Sequence, residues 1–130
     1  MPKVSIDTTV NLKRPSVKEI WAKIRAAKRA CSEGKISFVD DVVIASDLLE
    51  LDLLIDEFLD KLPSLLNELR PENYVGCCPP QRSYKPAIKD CELFAFTWYS
   101  KSVGCKVYFK FCIKESALFI VSFHKDRAGR

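Results

Sequence analysis

Residues 106–124 read KVYFKFCIKESALFIVSFH. In the first part Val107, Phe109, Phe111 and Ile113 alternate with Lys106, Tyr108, Lys110 and Cys112. Strict alternation marks a strand with one face buried and the other available. Leu118 to Phe123 is almost wholly apolar, which predicts a strand inside the sheet. The stretch is therefore expected to be a hairpin.

Register decides what the open face carries. If Lys114 pairs with Leu118 around a turn of Glu115, Ser116 and Ala117, Phe111 faces Val121 and Phe109 faces Phe123. The four then point into the core. The other face shows Lys110 opposite Ser122 and Tyr108 opposite His124, the only histidine. A two-residue turn slips the register by one and turns His124 into the core behind Phe109 and Phe111. The first register is preferred, because it buries the aromatics together and leaves the polar groups wet.

Working outward, Cys91 to Tyr99 (CELFAFTWY) reads as a further strand, joined to the hairpin through Ser100 to Gly104. Before it, residues 70–90 carry Pro71, Pro79, Pro80 and Pro86 and read as an irregular connection. So long a loop in a small domain is often functional. It holds Gln81, Arg82, Tyr84 and Lys85, types that stack on bases or bind phosphate. Further upstream, the pattern is helical. Ser16 and Glu19 have capping-box spacing, with Pro15 just before them. Val17, Ile20, Trp21, Ile24 and Ala27 then make one stripe up to about Ala30, and Gly34 ends the unit. Lys35 to Phe38 suits a brief edge strand. Helices follow over about 40–49 and 52–69, with a leucine stripe in the second and Pro63 predicting a kink or a split. Residues 1–13 read as a loose arm. Helices first and an antiparallel sheet last make a single α+β domain.

The 130 residues suffice for one core, and no apolar run approaches a membrane span. The amino terminus lacks a secretory apolar region, so a cytoplasmic protein is expected. The six cysteines form no C-x-x-C pair, which argues against structural zinc, and they are expected reduced. No metal or cofactor is expected. Charge is segregated. Residues 40–72 hold ten acids against two Lys or Arg, whereas residues 73–130 hold ten Lys or Arg against four acids. The basic part is also the sheet, which suits a polyanionic partner.

No GxGxxG, P-loop, HExxH or GxSxG occurs. Cys112 and His124 share the open face but stand too far apart along the strands for a nucleophile pair. Metal-free RNA cleavage fits better. It needs a group to deprotonate the 2′-hydroxyl, one to protonate the leaving 5′-oxygen, and cations for the phosphorane. Histidine as a residue type serves as acid or base. Tyr108 can exchange a proton or stack, and Lys110, Lys125 and Arg127 can neutralise phosphate.

The run VYFKF followed by LFIVSFHKD resembles the end of the motility quorum-sensing regulator toxins, RelE-like mRNA interferases of toxin–antitoxin pairs. Those chains close with a Val-Tyr-Leu-Lys strand, a short turn and an Ile-Val-Ser-Phe-Lys strand. IASDLLELDLLIDEFL is similar to their Ala-Asp-Glu-Leu-Gly-Leu-Asp segment, and LRPENYVG resembles their Glu-Ser-Asp-Phe-Tyr-Lys exit. The likeness spans roughly residues 17–127. It implies an endoribonuclease acting on mRNA, free or on the ribosome, and a cognate antitoxin protein. The family's sheet tyrosine falls on Tyr108, the next strand lysine on Lys110, and the terminal catalytic lysine on His124, with Lys125 beside it. Two positions depart. Val75 stands where the family has a lysine, and the FAF run where it has a glutamine. The resemblance then requires Arg82, Lys85 or Gln81 to take over those roles.

Overall fold

The computed structural model describes residues 14–127, so the arm expected over residues 1–13 lies outside the described part. Three helices, α1 (Val17–Ser32), α2 (Asp41–Leu49) and α3 (Ile55–Glu68), pack on one face of a four-stranded sheet. The strands are β1 (Ile36–Phe38), β2 (Phe94–Ser100), β3 (Cys105–Lys114) and β4 (Ala117–Lys125), in spatial order β1-β4-β3-β2. This is the expected α+β architecture. The sheet is antiparallel except that β1 runs parallel to β4.

The helices start and stop where local chemistry dictates. Ser16 Oγ accepts the Glu19 N–H at 3.1 Å and caps α1. The expected reciprocal half of that box is not made, because the Glu19 carboxylate pairs with Arg14 instead. Gly34 turns the chain out of α1 with φ +71°, a conformation that costs glycine nothing. Asp40 caps α2 through Val43 N–H at 3.1 Å. Ile20, Ile24, Ala27 and Ala30 of α1 are buried, but Val17 of the expected stripe is exposed.

Helix α3 is not split at Pro63 into two shorter helices; one helix runs through it. Pro63 is exposed, whereas Leu62, Leu65 and Leu66 beside it are wholly buried. An interior proline costs about 3 kcal/mol. Three buried leucines contribute about 1.5–3 kcal/mol each and outweigh it.

The core between helices and sheet is an aromatic seam. Phe58 of α3 meets Phe123 at 4.8 Å between ring centroids, Phe123 meets Phe109 at 5.7 Å, and Phe96 stacks on Phe111 at 5.7 Å. β4 lies between β1 and β3, as its apolar run predicted.

The hairpin combines two registers. Lys114 pairs with Ala117, so the turn is Glu115-Ser116, not the expected three residues. Both turn residues have positive φ, 51° and 66°, as the tight hairpin turn that matches strand twist requires. Phe111 pairs with Ile120, not Val121 as expected. The register then shifts between Lys110 and Phe111, leaving Val121 as an extra residue on β4. Beyond this bulge the expected pairs appear: Lys110 with Ser122, Phe109 with Phe123, and Tyr108 with His124.

Glu68, at the end of α3, ties the helices to the β2–β3 turn. Its carboxylate accepts the Trp98 indole N–H at 2.8 Å and both the N–H and hydroxyl of Ser102, at 2.9 and 2.6 Å. Burial pushes its pKa up, but the donors from Ser102, Trp98 and Ser100 outweigh this and hold it below the usual glutamate range. A depressed folded pKa gives stability that is fully present above the unfolded value of about 4.3 and fades as pH falls through the folded value. Glu68→Ala is therefore expected to lose about 1–3 kcal/mol at pH 7, by leaving buried donors unmet. In thermal melts taken from pH 7 down to pH 3, the gap between wild type and variant is expected to narrow below about pH 5. A gap constant with pH would count against an ionised Glu68 as the tie.

Candidate functional site

After α3 the chain takes a short 3₁₀ turn at Pro71–Asn73 and passes along the free edge of β2. Tyr74 forms a bridge with Phe96, and Val75 N–H donates to Ala95 carbonyl at 2.8 Å. That pairing caps an edge which would otherwise expose its polar backbone groups. The chain then folds over the sheet face opposite the helices. There Ile88, Leu93 and Cys112 form a second, small core, with Phe119 and Val121 of β4 packed against it. Burial, reinforced by neighbouring Cys91, pushes the Cys112 thiol up to about 12. It is no nucleophile, and it pairs with Phe119, not with His124.

This second core covers one end of the outer face. The rest carries two cross-strand rows, Thr97–Tyr108–His124 and Ala95–Lys110–Ser122. The Tyr108 and His124 rings stack with centroids 5.0 Å apart and planes 18° apart. His124 lies on the face expected for it, but it is not exposed: only 7% of its surface meets solvent. The neighbouring ring and backbone explain this. Nδ1 lies 2.8 Å from the carbonyl oxygen of Lys125. A carbonyl only accepts, so Nδ1 carries the hydrogen and Nε2 is the nitrogen left to exchange a proton.

Two hollows flank Lys110. The first, about 170 Å³, is lined by Val75, Gly76, Cys77, Gln81, Tyr108 and Lys110 among others. The second, also about 170 Å³, is lined by Arg82, Tyr84, Lys85, Val121, and again Gln81 and Lys110. No Asp or Glu lines either one. Among the described residues, Arg82, Lys85 and Lys110 enter no ion pair. Three cations without ion pairs thus border two hollows, of which the second is largely apolar.

Of the expected site residues, Tyr108, Lys110, Gln81, Arg82 and Lys85 come together here. His124 stands behind Tyr108 and lines neither hollow. Lys125 pairs with Val107, whose side chain is buried in the main core, so Lys125 is turned toward the helix side of the sheet. Arg127 is held by Asp47 at 3.3 Å and Glu50 at 3.6 Å on the acidic side of the molecule. The parity of Lys125 follows from alternation once His124 is on the outer face, whereas the hold of α2 on Arg127 is a tertiary fact. Val75 and Gln81 share the first hollow. Sequence reasoning missed the Tyr74 and Gly76 support beneath it. Among the described residues no three His, Cys, Asp or Glu side chains converge on a metal position, and no helix is long and apolar enough to cross a membrane.

No family model matches this chain, and no curated protein matches it.

The hollow's wall depends on one close approach. Tyr74 packs against Phe94 and Phe96, with ring centroids 5.9 and 5.8 Å away, and its hydroxyl donates to the Cys77 carbonyl. Burial, with Cys78 and Cys77 nearby, pushes this hydroxyl well above the usual phenol range. A Cβ at Gly76 would lie 2.5 Å from the Tyr74 oxygen. The ring packs on both phenylalanines, so yielding would cost those contacts. Gly76→Ala is expected to lose about 1–3 kcal/mol in denaturant titration, as an overpacked site does. Cys77 should also label faster with a thiol reagent. Unchanged stability and labelling would show that the wall is not built on this contact.

Proposed function

We propose that this chain is a RelE-like endoribonuclease, the toxin of a toxin–antitoxin pair, cutting mRNA through its own 2′-hydroxyl without a metal. The single observation that carries the reading is the stacked Tyr108–His124 pair beside the uncompensated Lys110. In this reaction the 2′-oxygen loses a proton and bonds to phosphorus, while the phosphorus–O5′ bond breaks and O5′ takes a proton. The products are a 2′,3′-cyclic phosphate and a 5′-hydroxyl, so no co-reactant is consumed. Tyr108 and His124 exchange the two protons, and Lys110 and Arg82 neutralise the phosphorane. Lys85 and Gln81 hold the flanking RNA.

One observation favours a second reading. The 7% exposure of His124 suits a module that binds RNA on this face without cutting it. The two readings separate in one assay. A long mRNA is incubated with wild type, His124→Gln and Lys110→Ala, in EDTA to remove metal nucleases. His124→Gln is expected to cleave about 10²–10⁴-fold more slowly while melting near the wild-type temperature. Lys110→Ala is expected to weaken RNA binding and flatten its salt dependence. Binding by wild type without cleavage would leave the second reading; equal cleavage by wild type and His124→Gln would remove this site.

The toxin role adds a partner. An antitoxin with an acidic or extended segment would mask the cationic hollows. Expression of the chain alone is expected to arrest growth, and co-expression of a small neighbouring reading frame to relieve it. Growth without arrest would count against a toxin.

A further inference from the structure

Tyr84 is the aromatic that nothing in the fold explains. It is 89% exposed, yet it does not sit on a loose tip. Ser83 beneath it is buried. Ser83 N–H donates to Cys91 carbonyl at 2.9 Å, its carbonyl accepts Asp90 N–H at 2.9 Å, and its hydroxyl accepts Lys85 N–H at 3.1 Å. Ile88, two residues past Pro86, anchors the same turn in the small outer core. Lys114 Nζ also donates to Ala87 carbonyl at 2.9 Å. The turn is thus held from several sides, and it presents an aromatic ring and two cations, Arg82 and Lys85, at the rim of the second hollow.

We propose that this second hollow seats one pyrimidine base of a single-stranded RNA, stacked on Tyr84, with the adjoining phosphate over Lys110. The proposal deepens the nuclease reading and rests on it only for the identity of the nucleic acid. The floor, Leu93 and Val121, is apolar and suits the face of a base. A cavity of about 150 Å³ accepts a benzene ring. A hollow of about 170 Å³ therefore matches the single ring of a pyrimidine more closely than a larger purine. Gln81 carries both a donor and an acceptor at the junction of the hollows, which fits the edge of either pyrimidine. Lys110 lies in both linings, so a phosphate over it joins the base in this hollow to the nucleotide beside Tyr108. Arg82 and Lys85 add charge that enters no ion pair among the described residues. A rigid aromatic gives up little freedom when a base lands on it.

The test uses fluorescein-labelled hexamers of 2′-O-methyl uridine and 2′-O-methyl adenosine, which lack the attacking hydroxyl and so report binding alone. In anisotropy titrations at one fixed salt concentration, wild type is expected to bind the uridine hexamer more tightly than the adenosine hexamer. Tyr84→Ala is expected to weaken uridine binding about 5- to 100-fold, the usual cost of losing one stacking platform. Tyr84→Phe is expected to stay within about two-fold of wild type, since the ring and not the hydroxyl carries the contact. The exposed position keeps both variants folded. Equal affinity of wild type and Tyr84→Ala, equal affinity for the two hexamers, or no binding of either hexamer would overturn the proposal. Cleavage of mRNA with no Tyr84 dependence of binding would remove this subsite and leave the nuclease standing. Tyr84-dependent uridine binding without cleavage would do the reverse.

Discussion

The arrangement rests on the burial of β4 on both faces. On one side Leu118, Ile120 and Phe123 enter the main core; on the other Phe119 and Val121 enter the small one. Strict alternation cannot produce that set, because Ile120 and Phe123 are an odd number of residues apart. The bulge at Val121 supplies the missing step. It lets a tight two-residue turn and a buried Phe123 coexist. Without it, the register of the turn would carry His124 into the aromatic core, where an imidazole lacks partners. The pairing of Tyr108 with His124 is therefore a consequence of how β4 is packed.

The connection after α3 depends on the same sheet. It shields the free edge of β2 through Tyr74, crosses to the outer face at Gly76 and is pinned there by Ile88. Its cations come to lie around Lys110. Arg127, by contrast, is drawn to Asp47 and Glu50 of the acidic helical side and compensated. The fold thus sorts charge. The acids of α2 and α3 gather on the helical side, where α1 itself is basic, while Arg82, Lys85 and Lys110, in no ion pair among the described residues, gather on the outer sheet face.

That sorting bears on how a site here can work. The cations and Tyr108 are reachable from the hollows, whereas His124 is reached through its stack with Tyr108. Aromatic stacking fixes the imidazole plane, and the Lys125 carbonyl fixes its tautomer. Such a ring is held firmly, which suits a proton-exchanging group as well as a purely supporting one. What the face offers is cations and an exposed aromatic side by side.

The sequence by itself determined the α+β order, the hairpin and the central place of β4; the opposition of Tyr108 and His124 was expected from a three-residue turn and is reached instead through a two-residue turn and a bulge. The first three follow from periodicity and from the burial of aromatics, which are local properties of a run of residues. It could not disclose the two-residue turn, because Glu115-Ser116 carries none of the Gly or Asn that marks positive φ. Nor could it show that α3 runs through Pro63, since the leucines that outweigh the proline act only once packed. The same holds for the sites. The types of Gln81, Arg82 and Lys85 were legible, but their gathering around Lys110 needed the loop folded on the sheet. The loss of Lys125 from that group follows from alternation beside His124, but that of Arg127 was decided by an ion pair across the fold. Distant contacts depend on which surfaces meet, and no window of sequence contains them.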